Sequence, residues 1–473
     1  MKRMILVLSA AIVLLPVRAW GQTNENVDYM ARDIFKELIE INTTDSVGST
    51  TKAAAAMAAR LIAAGFAKTD VIVDGPNARK GNLVARIHGL GEQKPVLLLA
   101  HLDVVEARRE DWTTDPFQFV EKDGYFYGRG TVDIKDGDAI LVANFIRLKK
   151  EGFTPRRDLI LALTADEEGG NDNGVDWLLK THRDWIDADF CVNLDGGDFM
   201  SEQGKRIYAA MQASEKVYTD FQLEVKNSGG HSSRPIRDNA IYHLAGGLTR
   251  LASFEFPAQL NEVTRSMLER SAAFQSGQLA ADMKAVTEDP PNPTALARLS
   301  YHPFYNALLR TTCVATRLDA GHANNALPQT ARANVNCRIL PGQAPQQIRE
   351  TLVKILADPQ IAVTFVDVLA ADGSVLEPKS VPPSPLRPDV VGGMDRVVQN
   401  IYPGLAVIPV MDTGASDGRF LREAGIPTYG ISGVFLDSDN RRAHGRDERI
   451  RIRDFYDGVE FNYQLIKALS SSK

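Results

Sequence analysis

Three short apolar runs in this chain end the same way, in residues that bind metals. Pro95–Ala100 leads into His101 and Asp103, the run before Thr164 leads into Glu167 and Glu168, and Ala188–Leu194 leads into Asp195. Asp133 follows the turn Gly128-Arg129-Gly130, and His444 stands in a polar loop near the C-terminus. Buried strands that deliver acids and histidines to their C-terminal ends are how an open α/β sheet builds a site. Carboxylate with imidazole and no thiolate suits a hydrolytic divalent-metal centre better than a structural zinc.

The order of elements supports such a sheet. Val27, Met30, Ile34, Leu38 and Ile41 fall at helical spacing, so 27–41 reads as an amphipathic helix, and the Ala-rich stretch 52–64 reads as another, stopped at Gly65. Strands 82–87, 95–100, 158–164 and 188–194 then alternate with helices 137–150 and 173–182. The pattern resumes late, with helix 390–400, strand 405–411, helix 418–424, strand 427–432 and helix 453–468. This alternation predicts an α/β fold with a mostly parallel sheet. Between the two halves the order is β-α-β-β-α-β: strand 218–225, helix 238–252, strands 311–318 and 329–339 around a turn at 321–328, helix 344–357 and strand 360–367. That is the ferredoxin-like α+β arrangement. The expected organisation is a catalytic domain split in two by the chain order. Its N-terminal segment covers 22–213 and its C-terminal segment covers 389–473. Between them lie an inserted α+β domain over 214–374, itself interrupted at 255–308, and a linker at 375–388 holding five prolines.

Lys2 and Arg3 precede the apolar stretch Met4–Val17, and small residues stand at Ala19 and Gly21. This reads as a signal peptide, 1–21, cleaved after Gly21, and so as an exported protein, periplasmic or secreted. The run is short for a bilayer span, and no other stretch reaches that length, so no membrane span is expected after processing. Losing Lys2, Arg3 and Arg18 takes the net charge from −6 to −9, which argues against nucleic acid as a partner. The three cysteines are too few for a disulfide scaffold. Cys313 and Cys337 are equidistant from Asn325 in the turn, so simple hairpin register sets them opposite each other, as a disulfide or as two packed thiols.

Two ions acting together need a carboxylate that bridges them and separate ligands for each. Asp133 is the candidate bridge, with His101 and Asp195 completing one site and Glu168 and His444 the other. Asp103 lies on the same face of the strand end as His101 and is placed to accept the second imidazole N–H. Glu167 then remains without an ion to bind, which suits a general base.

These segments resemble the M20 metallopeptidase and aminoacylase family. The similarity runs through Leu99–Val105, Tyr127–Lys135 with Trp112 and Pro116-Phe117 upstream, Asp166–Gly169 and Ala443–Ile450. The resemblance implies two Zn²⁺ (Co²⁺ or Mn²⁺ as substitutes), Glu167 as base, hydrolysis of an amide bond, and a cis peptide after Asp133. Gly229–Pro235 is similar to the family's lid motif, which implies that His231 stabilises the oxyanion in a partner's site within a homodimer. Ala323–Pro328, Cys337–Gly342 and Thr413–Arg419 resemble substrate-binding segments, which implies contacts from Asn325, Arg338, Gly414 and Ser416. The activity expected is that of an exopeptidase on small peptides, carboxypeptidase or dipeptidase in type, with N-acyl-amino-acid hydrolysis as the alternative. A zinc-binding protein without catalysis is the reading from another class, and Glu167 argues against it.

Overall fold

The computed structural model describes residues 18–366, 379–437 and 442–471, with side chains from Asn26 onward. Most of the leader 1–21 and the start of the linker 375–388 lie outside the described residues. A ten-stranded sheet forms the base of the molecule. At its centre Arg157–Thr164, Gln93–His101, Phe190–Asn193 and Thr428–Gly430 run parallel as neighbours. Antiparallel strands, Asn82–Ile87 and Val71–Asp74, extend one side.

The central strands are buried on both faces, which is why they read as continuous apolar runs. Along Gln93–His101 the pleat sorts side chains strictly: Val96, Leu98 and Ala100 enter one core, while Leu97 and Leu99 enter the other. The larger core is closed by helices Arg18–Glu40, Thr50–Ala63, Lys135–Lys150, Pro388–Ile401 and Ile452–Ser471. The smaller is closed by Gly174–Thr181 and Gly418–Glu423. Register then decides the site. His101 pairs with Thr164, Leu99 with Asn193, and Asn193 with Gly430, so the strands finish nearly level.

The second sheet is antiparallel, in the order Thr312–Ala320, Thr330–Ile339, Val217–Lys226, Ile361–Phe365. Helices Ala240–Ala252 and Pro345–Leu356 cover one of its faces, as the ferredoxin-like pattern requires. The stretch 255–308 folds into four helices with a small core of their own. Its first helix, Glu262–Ser271, sends Val263 and Met267 into the main core, and Arg270 donates to the Val407 carbonyl at 2.9 Å. Strand Ala406–Asp412 lies on the margin of the large sheet, so the insertion covers an edge.

Several strands went unread in the sequence. Lys205–Glu215 is the longest, and it carries Ala406–Asp412 in parallel. A three-stranded sheet joins Val120–Lys122, Tyr125–Tyr127 and Arg449–Arg451, and Gly230–His231 pairs with Ala326–Leu327.

Cys313 and Cys337 are directly opposite and joined as a disulfide. A bulge between Ala315 and Arg317 shifts the register by one on the turn side, and the cysteines lie on the far side of it. The bridge closes a loop of sequence separation 24, and chain entropy gives such a loop about 3 kcal/mol. Cys313→Ser with Cys337→Ser should lower unfolding free energy in urea by that amount, and a loss under about 1 kcal/mol would show that the bridge constrains little. Peptide mapping should leave Cys191 as the free, buried thiol.

Candidate active site

Six of the sequence candidates meet at the ends of the parallel strands. His101 Nε2 lies 3.4 Å from Asp133 Oδ1, 4.0 Å from Glu167 Oε2 and 4.0 Å from Asp195 Oδ2. His444 Nε2 lies 3.0 Å from Asp133 Oδ2 and 2.8 Å from Glu168 Oε1. Asp133 therefore stands between the two imidazoles with one oxygen toward each. The bond from Asp133 to Ile134 is cis.

The fit to cations is chemical as well as geometric. His101 is buried, yet its Nε2 has no hydrogen-bond partner. Such a nitrogen facing several carboxylates is an incomplete coordination set. His101 with Glu167 and Asp195, and His101 with Asp133 and Glu168, each bring ligand atoms close enough to hold an ion. Glu167 is thus as near to His101 as Asp195 is.

The charges describe the same imbalance. Burial alone would depress the His101 imidazole, but Asp133, Asp103, Glu167 and Asp195 hold its pKa well above the ordinary value. Hydrogen bonds to Asp133 and Glu168 raise His444 to about 10. Burial, then the charge of Asp195, pushes the Glu167 carboxyl well up, and burial does the same to Asp195. Burial opposes ionisation of Asp133 too, but His101 and His444 hold it below its usual range. A group of acids that retains protons this way is one a cation would enter by displacing them.

Asp103 acts differently from the sequence expectation. The His101 Nδ1 partner is the Asp103 backbone carbonyl at 3.1 Å, with the carboxylate at 3.6 Å. The carboxylate instead accepts from the amides of Glu167, at 3.1 Å, and Glu168, at 3.0 Å. A carboxylate has two acceptor oxygens for two adjacent N–H groups, so Asp103 sets the turn that aims both glutamates.

The remaining candidates lie apart from this cluster. His231 is exposed, with Nδ1 held by the Ser233 amide at 3.1 Å. Asn325 is its neighbour: its carbonyl accepts from the Ser232 amide at 3.0 Å, and Ala326 pairs with His231. Arg338 stacks over Tyr218 at 4.7 Å. The Gly414 amide donates to Asp412 at 3.0 Å. Ser416 turns inward, its hydroxyl given to buried Glu215 at 2.8 Å, so any contact it makes with a substrate falls to its backbone.

Three residues with no assigned role in the sequence reading support the cluster. Buried Glu448 accepts from Arg129 at 2.6 Å and from the amides of Gly130 and Val132 at 3.1 and 2.8 Å, which clamps the loop before Asp133. Lys80 joins Asp166 and Asp45. Asp417 accepts from Thr164 and Asn173 at either end of the glutamate turn. For Glu448 and Asp417 the only sequence signal is a charged residue inside a motif already marked for another reason, and Lys80 lies in no marked motif.

Glu448→Gln would keep the shape and remove the charge facing Arg129, both side chains being no more than 3% exposed. Leaving one member of a buried pair uncompensated costs ~3–5 kcal/mol. Urea unfolding should register that loss, and a loss under about 1 kcal/mol would mean that the backbone amides alone hold the loop.

Comparison with known proteins places the chain among relatives of one family. The model of "Peptidase family M20/M25/M40" matches residues 97–468. The N-fatty-acyl-amino acid synthase/hydrolase PM20D1 of Homo sapiens is 30% identical over 384 residues, covering 79% of this chain and 74% of that one. The probable carboxypeptidase S-like 2 of Dictyostelium discoideum is 28% identical over 404 residues, covering 82% and 74%. The solved M20 family metallo-carboxypeptidase Sso-CP2 from Sulfolobus solfataricus superposes with a TM-score of 0.68 at 18% identity, over 93% of this chain and 99% of that one.

Proposed function

The chain belongs to peptidase family M20/M25/M40, whose members are metal-dependent hydrolases of amide bonds, and on that premise we propose that it is an exported dizinc exopeptidase. The observation that carries this reading is Asp133 standing between two imidazoles, with Glu168 beside His444 and Glu167 and Asp195 beside His101. Two Zn²⁺ would be held across Asp133, one by His101 and Asp195 and the other by Glu168 and His444; Co²⁺ or Mn²⁺ suit the same donors. Such a pair, when bound, supplies Lewis acidity at the carbonyl oxygen and lowers the pKa of water.

The protein's own role is proton transfer and orientation. Glu167 takes the proton of the attacking water as the C–O bond forms, and returns it to the amine nitrogen as the C–N bond breaks. Asp103 keeps Glu167 in place through the turn amides. Arg338 would grip a substrate carboxylate in bidentate fashion, with Asn325 and the backbone of Gly414 and Ser416 lining the same approach.

The substrates on this reading are small peptides cleaved at an exposed end, in carboxypeptidase or dipeptidase fashion. A second reading, hydrolysis of N-acyl amino acids, is favoured by the 30% identity to a protein named for that activity. Both reactions release an amino acid and differ only on the acyl side. Turnover of a panel of dipeptides, C-terminally blocked and unblocked peptides, and N-acyl amino acids by the zinc-loaded protein separates them. No hydrolysis of any amide in that panel would remove both.

Export is supported by the basic start and apolar stretch of the leader and by the disulfide, which suits an oxidising compartment. No helix among the described residues is long and apolar enough to cross a membrane.

Glu167→Gln should lower kcat ~10²–10⁴-fold while both metal equivalents stay bound. Asp133→Ala should lose both equivalents on dialysis and His444→Ala mainly one. Loss of metal from Glu167→Gln, or equal single-site losses in the other two, would break these assignments.

The homodimer belongs to this proposal as well. His231 Nδ1 accepts from the Ser233 amide of its own turn, which leaves the ring proton on Nε2 to donate, and the lid's outer strand leaves Val314 and Leu318 58% and 67% exposed. His231 would act in the partner's site as an oxyanion donor, worth ~2.7–4 kcal/mol in the transition state. Mixed His231→Ala and Glu167→Gln protomers should regain some of the activity each lacks. Mixtures that exchange subunits and stay inactive would rule the arrangement out.

A further inference from the structure

Two adjacent residues, Ser416 and Asp417, face opposite regions of the molecule. Asp417 is 3% exposed. Its Oδ2 accepts from Thr164 Oγ1 at 3.0 Å, and its Oδ1 accepts from Asn173 Nδ2 at 2.5 Å. Thr164 ends a central strand, and Asn173 caps the next helix by accepting from the Asp176 amide at 3.0 Å. The turn between them holds Glu167 and Glu168. Asn173 Nδ2 also donates to the Asp166 carbonyl at 3.2 Å. One carboxylate thus fastens both ends of the turn.

Ser416 faces the junction of the two sheets. Strand Lys205–Glu215 of the large sheet passes through Lys216 directly into Val217–Lys226 of the small one. At that point Glu215 accepts from Ser416 Oγ at 2.8 Å and from Arg422 Nη1 at 2.7 Å. Arg422 also donates to Ser384 Oγ at 3.1 Å and to the Thr428 carbonyl at 2.9 Å. The Ser384 amide donates to the Ala213 carbonyl at 2.8 Å, so the return of the chain is held by the same network. Glu215 and Arg422 are 1% and 2% exposed. A buried ion pair with this many satisfied hydrogen bonds fixes geometry more than it adds stability.

We propose that Asp417 is a positioning residue for Glu167 and Glu168, and that the Glu215–Arg422 pair, acting through Ser416, sets Asp417 from the junction between the sheets. This deepens the reading of Glu167 as the base and rests on it. A shift of about 1 Å in a reacting group costs on the order of 10²-fold in rate, so a turn fixed at both ends is worth a buried carboxylate. The chemistry of the contact predicts its own rescue. In Asp417→Asn the amide oxygen still accepts from Asn173, and the new N–H₂ donates to Thr164 Oγ1. Thr164 keeps an acceptor for its own proton, the Ala100 carbonyl at 3.2 Å.

The test uses the full chain, zinc-loaded, as wild type, Asp417→Ala, Asp417→Asn and Ser416→Ala. Steady-state kinetics, metal content and amide hydrogen exchange of the segment 164–173 are measured on each. Asp417→Ala should lower kcat ~100-fold, with KM within about threefold and metal retained, and should speed exchange across 164–173. Asp417→Asn should recover most of both effects. Ser416→Ala, which removes the link to Glu215 together with the acceptor of the Gly418 amide, should fall between them in exchange and in kcat. Native exchange and native kcat in Asp417→Ala would overturn the proposal. So would loss of a metal equivalent, which would place Asp417 in the metal set, or a rise in KM alone. Should the wild type hydrolyse no peptide or N-acyl amino acid, the functional reading fails by itself, and the exchange measurement still decides whether Asp417 holds the turn.

Discussion

Repulsion between carboxylates is the constraint that the rest of this structure answers. Asp133, Glu167, Glu168 and Asp195 converge on two imidazoles, and Asp103 and Asp417 stand directly behind them. Left to itself, such a set would spread apart or take up protons. The fold prevents spreading by mounting Asp133, the glutamate pair and Asp195 on separate rigid supports. His101, the glutamate turn and Asp195 follow neighbouring strands whose register is fixed across the sheet. Asp133 follows a loop tied by Glu448, and the glutamates follow a turn tied by Asp103. Neutralisation is then left to the cations the site would bind.

Much of this arrangement was legible in the chain. The strands buried on both faces announce themselves as apolar runs because neither face meets water. The acids that follow them must then gather at one edge. The lid was legible for another reason: its strands alternate along their length, as in Val217–Lys226, because one face is exposed. The Cys313–Cys337 pairing followed from hairpin arithmetic, which holds because the bulge lies on the turn side of both cysteines.

The unread elements share a physical cause. Strand Lys205–Glu215 is rich in small residues, Ala209, Ala210, Ala213 and Ser214, and carries charge at both ends. It shows neither a long apolar run nor alternation, and it forms because distant strands pair with it. Asp103, Asp417 and Glu448 were visible as acids, but the partners of their oxygens are brought near only by folding. Sequence can mark a carboxylate as important without saying whether it faces an ion or an amide.

The position of Thr428–Gly430 has a consequence for how the molecule comes into being. This short strand lies inside the large sheet, between Phe190–Asn193 and Lys205–Glu215. Its place must stay vacant while the whole of the second sheet and the insertion are synthesised. The segments made first therefore cannot close their core by themselves, whereas the second sheet, contiguous from Val217 to Phe365, can fold as a unit beforehand. The stretch that carries Thr428–Gly430 acts as the keystone, and the catalytic constellation comes into existence only after that strand is made, when His444 follows it.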